Sequence, residues 1–163
     1  MIMAARQLIQ FQETLSATNA TAQEFGVLLM DERKHLTSTL REDVNLLLPQ
    51  KELLIKQLAG LQSSILQFCT ASEIEPTYGA LRAYLYRLGI AEAETVLDHW
   101  TALKNTLIKN QALNKTNEAI LKELLRRNQI KQAMVSSLGR QSDTYAAPGK
   151  QTSRTMEGWV AQV

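Results

Sequence analysis

Two stripes of mostly apolar residues occupy the first half of the sequence, and their spacing restricts the fold more than any other feature. Within each stripe, intervals of three and four residues alternate, which keeps one face of a helix against a partner helix. The first stripe consists of Leu8, Phe11, Leu15, Thr18, Ala22, Phe25, Leu29, Glu32 and Leu36. The second stripe consists of Val44, Leu47, Lys51, Leu54, Leu58, Leu61, Ile65 and Phe68. The sequence therefore predicts two long helices that pack against each other.

The segment between the two stripes contains a turn signal. Thr39 and Glu42 have the spacing of a capping box, which marks the start of a second helix. If the chain turns within residues 38–42, each residue of the first stripe faces a residue of the second stripe, and the two residue numbers add up to 83. In this register Glu32 lies opposite Lys51. A slip of one heptad would preserve the apolar pattern, and the capping box is what argues against it. We therefore expect an antiparallel hairpin in which Glu32 and Lys51 form a structural ion pair that fixes the register.

Proline and glycine positions predict where the remaining helices begin and end. Pro49 lies about ten residues into the predicted second helix, where it should cause a kink or a break. A short helix is expected over residues 76–88, because Gly89 suits a helix end. No Gly or Pro follows until Gly139, which predicts a last helix of roughly 45 residues.

The composition agrees with a helical protein, since Gly and Pro together make up only 10 of 163 residues. The predicted fold class is all-α: an elongated antiparallel helical hairpin packed with a short helix and a long last helix, followed by a mobile C-terminal tail. We expect residues 1–138 to form the helical bundle. Residues 139–163 change to Ser, Thr, Gln, Gly and Pro and are expected to form a flexible tail that binds partners.

The sequence offers little chemistry for catalysis. Its two histidines, His35 and His99, lie far apart without a neighbouring metal ligand, and its single cysteine, Cys69, is expected in or near the core. Phosphate-binding and nucleophile motifs are absent from the sequence. We therefore expect no enzymatic activity, no metal site and no cofactor.

The localisation is expected to be cytoplasmic, without membrane insertion. No apolar run is longer than the five residues Met1-Ile2-Met3-Ala4-Ala5, far short of the ~18 residues that a membrane span requires. The first six residues lack the basic start and the apolar run of a signal peptide.

Charge is distributed unevenly along the chain. Residues 1–81 carry a net charge of −3, and residues 82–163 carry +5. Four basic residues suggest a nucleic-acid surface, but interleaved aromatic residues and a DNA-binding motif are missing. They are Lys122, Arg126, Arg127 and Lys131. A solvated face or an acidic protein partner is the favoured interpretation.

Three asparagines interrupt the apolar stripe of the last helix. Asn110, Asn114 and Asn117 follow Leu103 and Leu107 at intervals of three and four. One interpretation is a solvated stretch where the helix extends past its partners. The other is a polar layer that fixes helix register or marks a partner surface, as a buried Asn does in coiled coils.

The C-terminal segment carries helix-in-groove spacing. Met156, Trp159, Val160 and Val163 occupy positions i, i+3, i+4 and i+7. Such a segment either binds a partner or docks on its own bundle. Gly158 weakens an isolated helix, which suits a segment that orders only on binding.

In the order and spacing of these elements, the chain resembles the FlgN family of flagellar export chaperones. The family pattern is a helical hairpin with a Glu before the turn, a Lys-Leu-Leu element after it, an Asn-x-x-Asn pair in the last helix and a Tyr-containing tail element. Two departures are Ala146 in place of a usual Gly, and Pro49 within a helix that is normally uninterrupted. The matching residues are Glu32, Lys51-Glu52-Leu53-Leu54, Asn114, Asn117 and Tyr145-Ala146-Ala147-Pro148-Gly149-Lys150-Gln151.

The resemblance implies a cytosolic chaperone without enzymatic activity. It would bind the C-terminal helices of hook-associated proteins, prevent their premature assembly and deliver them to the flagellar type III export gate. Tyr145 would dock on the cytosolic domain of that gate, and Gly149 would permit the turn. The alternative is a structural coiled-coil or adaptor protein that self-associates through its helical seams, and the oligomeric state stays open. The candidate partner-binding residues are Asn114, Asn117, Tyr145, Gly149, Met156, Trp159 and Val160.

Overall fold

The computed structural model describes residues 2–38 and 44–144, with side chains for 6–38 and 45–138. All regular structure in these ranges is helical, and no strand occurs among them, which confirms the predicted all-α class. None of the described helices has the length and hydrophobicity that a membrane crossing requires. The elements are α1 (Ile2–Thr37), a 3-10 helix (Val44–Leu47), α2 (Leu48–Ala71), α3 (Tyr78–Arg87) and α4 (Ala93–Thr144).

Near the turn, the α1/α2 hairpin has the register that the two stripes predict. Lys51 Nζ lies 2.8 Å from Glu32 Oε1 and 3.0 Å from Glu32 Oε2, and both side chains are largely buried. At the opposite end of the hairpin, the Phe11 and Phe68 rings stack with their centroids 3.9 Å apart, although the predicted register places Phe68 opposite Leu15. The contact at this end is therefore shifted by about one helical turn from the predicted pairing. Because the ion pair joins the two charges that interrupt the stripes, it confirms the predicted pairing of Glu32 with Lys51.

The first stripe forms the buried face of α1. Phe25 is half-buried, and every other member of the stripe is buried. The second stripe is less enclosed: Leu54 and Ile65 are buried, and its other described side chains are half-buried. One side of α2 is therefore covered by α1, while neighbouring positions stay open to solvent.

Pro49 marks a change of helix type, as its position predicts. The 3-10 helix Val44–Leu47 precedes it, and α2 begins at Leu48, so that Pro49 lies in the first turn. A proline is tolerated there because the first N–H groups of a helix lack a helical acceptor. The predicted capping box of Thr39 and Glu42 lies outside the described residues.

Helix α3 occupies most of the predicted range 76–88. It spans Tyr78–Arg87, and its N-cap is Thr77, whose hydroxyl accepts a hydrogen bond from the Ala80 N–H at 3.3 Å. Gly89 has a φ of 65° directly after the helix, which is the left-handed conformation that a glycine adopts without strain.

Helix α4 is longer than the sequence pattern predicts. It begins at Ala93 and continues through Gly139 to Thr144. One glycine costs a helix about 1 kcal/mol relative to alanine, which is too little to end a long helix by itself. Residues 145–163 lie outside the described part of the chain, and with them most of the predicted tail.

The chain divides into two units, Met1–Leu121 and Lys122–Val163. The first unit contains the hydrophobic core, to which all four α-helices contribute. The buried members of this core are Leu8, Phe11, Leu15, Ala22, Ile65, Leu81, Leu85, Ala93, Val96, Leu97 and Leu103. The described part of the second unit is the C-terminal portion of α4.

Candidate partner-binding site

Two asparagines of α4 hold this helix in register with α1. Asn110 Nδ2 donates a hydrogen bond to the Ala22 carbonyl at 2.6 Å, and Asn117 Nδ2 donates one to the Leu29 carbonyl at 2.8 Å. Both pairs are separated by 88 positions in sequence. Because the separation stays constant over one heptad, α4 runs parallel to α1, whereas α2 runs antiparallel to it.

Close approach of α1 and α4 depends on a glycine. A Cβ atom placed on Gly26 would lie 2.6 Å from Asn110 Oδ1, a distance that real Cβ atoms essentially never show. Gly26 lies one turn after Ala22 on the same side of α1, so the small side chains of both residues leave space for the Asn110 amide. The need for a glycine here was not evident from the sequence alone.

Asn117 belongs to a buried polar cluster that also contains Glu32 and Lys51. Its Nδ2 also donates to Glu32 Oε2 at 2.8 Å, while Arg33 Nε donates to its Oδ1 at 3.1 Å. Glu32 thus receives hydrogen bonds from Lys51 and from Asn117. Every polar atom of the Asn117 side chain has a partner, although the residue is only 1% exposed. Satisfied networks of this kind specify one packing arrangement.

The structure separates the three asparagines. Asn110 and Asn117 are buried and form the register-fixing polar layer, so their side chains offer no surface to a partner in this arrangement. Asn114 is half-buried, and its Nδ2 donates to Glu118 Oε1 at 2.8 Å. The Oδ1 atom of Asn114 is buried without a hydrogen-bond partner among the described residues. A partner-binding role of Asn114 stays a prediction.

A groove of about 700 Å³ lies between α2 and α4, with Thr18 of α1 at its floor. We refer to it as the α2/α4 groove. Its lining is mostly apolar, and among the described residues that line it Lys104 is the only charged one. The lining residues are Thr18, Leu58, Gln62, Ile65, Leu66, Pro76, Thr77, Tyr78, Trp100, Leu103, Lys104, Leu107, Ile108 and Gln111.

The second unit presents a row of exposed apolar side chains. Ile130, Met134 and Leu138 follow one another at intervals of four residues, and Val135 lies beside them on the same helix surface. Their exposed fractions range from 40% for Ile130 to 69% for Val135. We refer to these four residues as the apolar stripe of α4. This stripe was not predicted from the sequence, because polar residues lie between its four apolar members.

Basic residues of the second unit are partly neutralised. Glu123 accepts hydrogen bonds from Arg126 at 2.8 and 2.9 Å and from Arg127 at 2.8 Å. Hydrogen bonds from Arg126 and Arg127 lower the pKa of Glu123 from 4.5 to about 2. Two of the basic residues considered for nucleic-acid binding are thus held in ion pairs.

The residues considered for chemistry do not come together. His35 Nδ1 lies 2.8 Å from the Asp31 carbonyl, whereas His99 Nδ1 is buried without a partner among the described residues. Cys69 is buried, and this burial raises the pKa of its thiol. In residues 2–38 and 44–144, no three His, Cys, Asp or Glu side chains cluster as metal ligands would.

The predicted tail contacts cannot be placed in this geometry, because all of them fall outside the described residues. They are Tyr145, Gly149, Met156, Trp159 and Val160.

The described geometry defines a class of protein, namely an all-α bundle whose long helices are joined by buried side-chain hydrogen bonds and which exposes apolar helical surfaces. A family model described as FlgN protein matches residues 1–153, and the chain belongs to the FlgN family. This is a family of chaperones in flagellum biogenesis, which confirms the resemblance seen in the sequence. No curated protein and no solved structure matches the chain. The matched range includes Tyr145 and Gly149 and ends before Met156.

Proposed function

We propose that this protein is a cytoplasmic type III flagellar export chaperone that binds the C-terminal helices of hook-associated proteins. It keeps these helices from assembling prematurely and delivers them to the cytosolic domain of the export gate. Membership of the FlgN family supports the general role. Because the task is to cover and release another protein's helix, it requires neither a catalytic step nor a cofactor.

The observation that carries the proposal is the apolar stripe of α4. Soluble proteins rarely leave contiguous apolar side chains this exposed unless the surface binds another protein. A spacing of i, i+4 and i+8 also suits contact with an amphipathic helix, which packs its own apolar face along such a row. The stripe is therefore our candidate for the primary client contact.

The tail contributes the remaining contacts in this proposal. Residues 1–138 act as the helical body, and residues 139–163 act as the segment that binds partners. Met156, Trp159 and Val160 cover part of the client, while Tyr145 docks on the export gate and Gly149 permits the turn. Asn114 adds a polar contact at the edge of the body. A segment that orders on binding gives modest affinity, which suits a client that must be released.

Two matched variants test the stripe. Leu138→Ser removes one stripe side chain, and Leu125→Ser removes an exposed leucine that lies nine residues before Met134, on the opposite side of the helix. Co-purified hook-associated proteins should bind Leu138→Ser about tenfold more weakly than wild type, because an anchor side chain contributes roughly 1 to 2 kcal/mol. Leu125→Ser should bind normally.

Three outcomes of this experiment would contradict the proposal in different ways. Equal losses in both variants would show that the stripe has no special role. A wild-type chain that binds no hook-associated protein would overturn the client assignment. A dimer that Leu138→Ser dissociates, with no affinity for flagellar proteins, would favour the self-associating adaptor.

A separate variant tests the tail. Deletion of residues 145–163 should weaken client binding, and Tyr145→Ala should weaken docking on the export gate more than client binding. Surface binding to the immobilised gate domain and to the client measures both effects. If both affinities stay unchanged, the tail assignment is wrong.

A further inference from the structure

We propose that the α2/α4 groove binds one amphipathic helix of a partner protein, about three turns long, with a carboxylate beside its apolar stripe. This site is distinct from the apolar stripe of α4. The groove proposal rests on the proposed function and extends it, since the bound helix would belong to an exported client.

The dimensions of the α2/α4 groove fit a single helix. Its lining on α4 extends from Trp100 to Gln111, which corresponds to about 17 Å, or three helical turns. Helices α2 and α4 both pack on α1, and the groove between them is the position that a fourth helix fills in a four-helix bundle. Pro76 and Tyr78, which follow α2 in the chain, border the groove near the C-terminal end of that helix.

Apolar side chains from both walls stay exposed in the groove. Leu66 belongs to α2, and Leu107 and Ile108 belong to α4. Leu107 continues the stripe of Leu103, yet 43% of Leu107 is exposed and only 6% of Leu103. An amphipathic helix would cover these side chains from both walls at once, which is the recognition mode in which apolar anchors enter a groove.

Charge indicates the chemistry of the occupant. Lys104 lies among the lining residues with the amides of Gln62 and Gln111, and the described lining contains no carboxylate. A helix with an Asp or Glu beside its apolar stripe is therefore electrostatically complementary, and a helix flanked by Lys or Arg is not. An ion pair at such a rim contributes about two- to fivefold in affinity.

A second copy of this chain fits the groove less well. Its apolar stripe of α4 is flanked by Lys131, which would face Lys104 with the same charge. The C-terminal tail carries Glu157 beside Met156, so the tail is the occupant that an experiment must separate from a client. The charge argument thus favours an acidic partner helix.

Synthetic peptides test the groove without knowledge of the client. One probe is a fluorescein-labelled amphipathic peptide with Leu at i, i+3, i+4 and i+7 and Glu along one flank, and the other has Lys in place of Glu. Titration with the full-length chain should give tighter binding of the acidic peptide by fluorescence anisotropy. Lys104→Glu should reverse this preference, because it reverses the charge that Lys104 contributes to the described lining.

Two variants of the same residue type separate the groove from the rest of the surface. Ile108→Ser should weaken binding of the acidic peptide about tenfold. Ile9→Ser changes an isoleucine of nearly equal exposure on α1 that does not line the groove, and it should bind normally. Absence of acidic-peptide binding, or equal losses in both variants, overturns the proposal.

Two further measurements show whether the tail or a second copy of the chain occupies the groove instead. If deletion of residues 145–163 raises peptide affinity about tenfold or more, the tail occupies the groove and the proposal is wrong. A concentration-dependent dimer that Ile108→Ser dissociates would likewise assign the groove to a second copy.

The two proposals fail separately. Acidic-peptide binding at the groove without any hook-associated client would overturn the client assignment and leave the groove in place. Normal client binding by wild type and by Ile108→Ser, without peptide binding, would overturn the groove and leave the chaperone role intact.

Discussion

The two portions of α4 place polar and apolar residues in opposite ways. In the first unit, Asn110 and Asn117 are buried against α1 while Leu107 is half open to solvent. In the second unit, Met134 and Leu138 are among the most exposed apolar residues of the described chain. The same helix therefore has buried asparagine side chains in one portion and exposed leucine and methionine side chains in the other.

This difference shows what each portion can be used for. A buried amide is stable only where each donor and acceptor finds a partner, so the contacts of Asn117 fix α4 at one register along α1. Exposed apolar side chains have no such requirement within the chain, and they gain most when another protein covers them. The polar portion determines the architecture, and the apolar portion is available for binding.

The largest expected effect tests the buried cluster. Lys51→Met should lower the free energy of unfolding by about 3 kcal/mol, because it leaves Glu32 partly buried without its charged partner. Urea denaturation followed by circular dichroism measures this loss. Glu32→Gln combined with Lys51→Met should recover most of it, since no unpaired charge is left. A single-variant loss below about 1 kcal/mol would show that the ion pair is not important for the register.

A smaller effect is expected at the contact of α1 with α4. Gly26→Ala places a methyl group against Asn110 and should cost about 1 to 2 kcal/mol, despite the better helix propensity of alanine. Gly60→Ala is the matched control, because nothing lies within 4 Å of its Cβ position, and it should stabilise the protein by about 0.5 to 1 kcal/mol. Thermal unfolding of both variants checks the signs. Equal stabilisation in both would contradict the close approach.

The apolar stripe of α4 should affect folding less than either of these sites. Leu138→Ser should change the free energy of unfolding by less than about 1 kcal/mol, since its side chain is exposed and only helix propensity changes. The same urea experiment measures it beside the client-binding assay. A loss above about 2 kcal/mol would mean that the side chain packs within the chain, and the contrast between the two portions of α4 would disappear.

The smallest expected effect concerns Glu123. Its pKa is lowered to about 2 in the folded chain, so its contribution to stability is present above its ordinary pKa of 4.5 and is lost as the pH falls toward 2. The helicity difference between wild type and Glu123→Gln should be constant from about pH 7 to 5 and should vanish near pH 2. High salt should reduce the difference, because these ion pairs are exposed. A difference that grows on acidification would contradict the assignment.

The sequence predicted the pairing of α1 and α2 near the turn because two independent signals agreed. Heptad spacing defined the facing surfaces of α1 and α2, and the charges of Glu32 and Lys51 interrupted the two stripes at positions that face each other. Any other register would have left each charge against apolar side chains. The position of Pro49 also predicted an interruption, and the structure has a change from a 3-10 helix to an α-helix there, with Pro49 in the first turn of α2.

Contacts of α4 were not predictable to the same degree. Asparagine at a stripe position suits both a solvated surface and a buried layer, and only a specific acceptor, such as the Leu29 carbonyl, decides between them. The α2/α4 groove has no sequence signature either, since Leu107 continues the spacing of Leu103 although none of the described helices covers it. Whether a neighbouring helix covers an apolar face depends on the packing of the whole bundle, and the sequence of the helix itself does not show it.

The hydrogen bonds of α4 to the Ala22 and Leu29 carbonyls do not compete with the backbone hydrogen bonds of α1. Both carbonyls lie within α1, where they also accept the N–H of the residue four positions later, so each uses its second lone pair for an asparagine amide. Separation of α4 from α1 would therefore break no backbone hydrogen bond within α1. The helical ladder of α1 therefore does not depend on the contacts of α4, and the two asparagine amides add hydrogen bonds to a helix whose backbone is already paired.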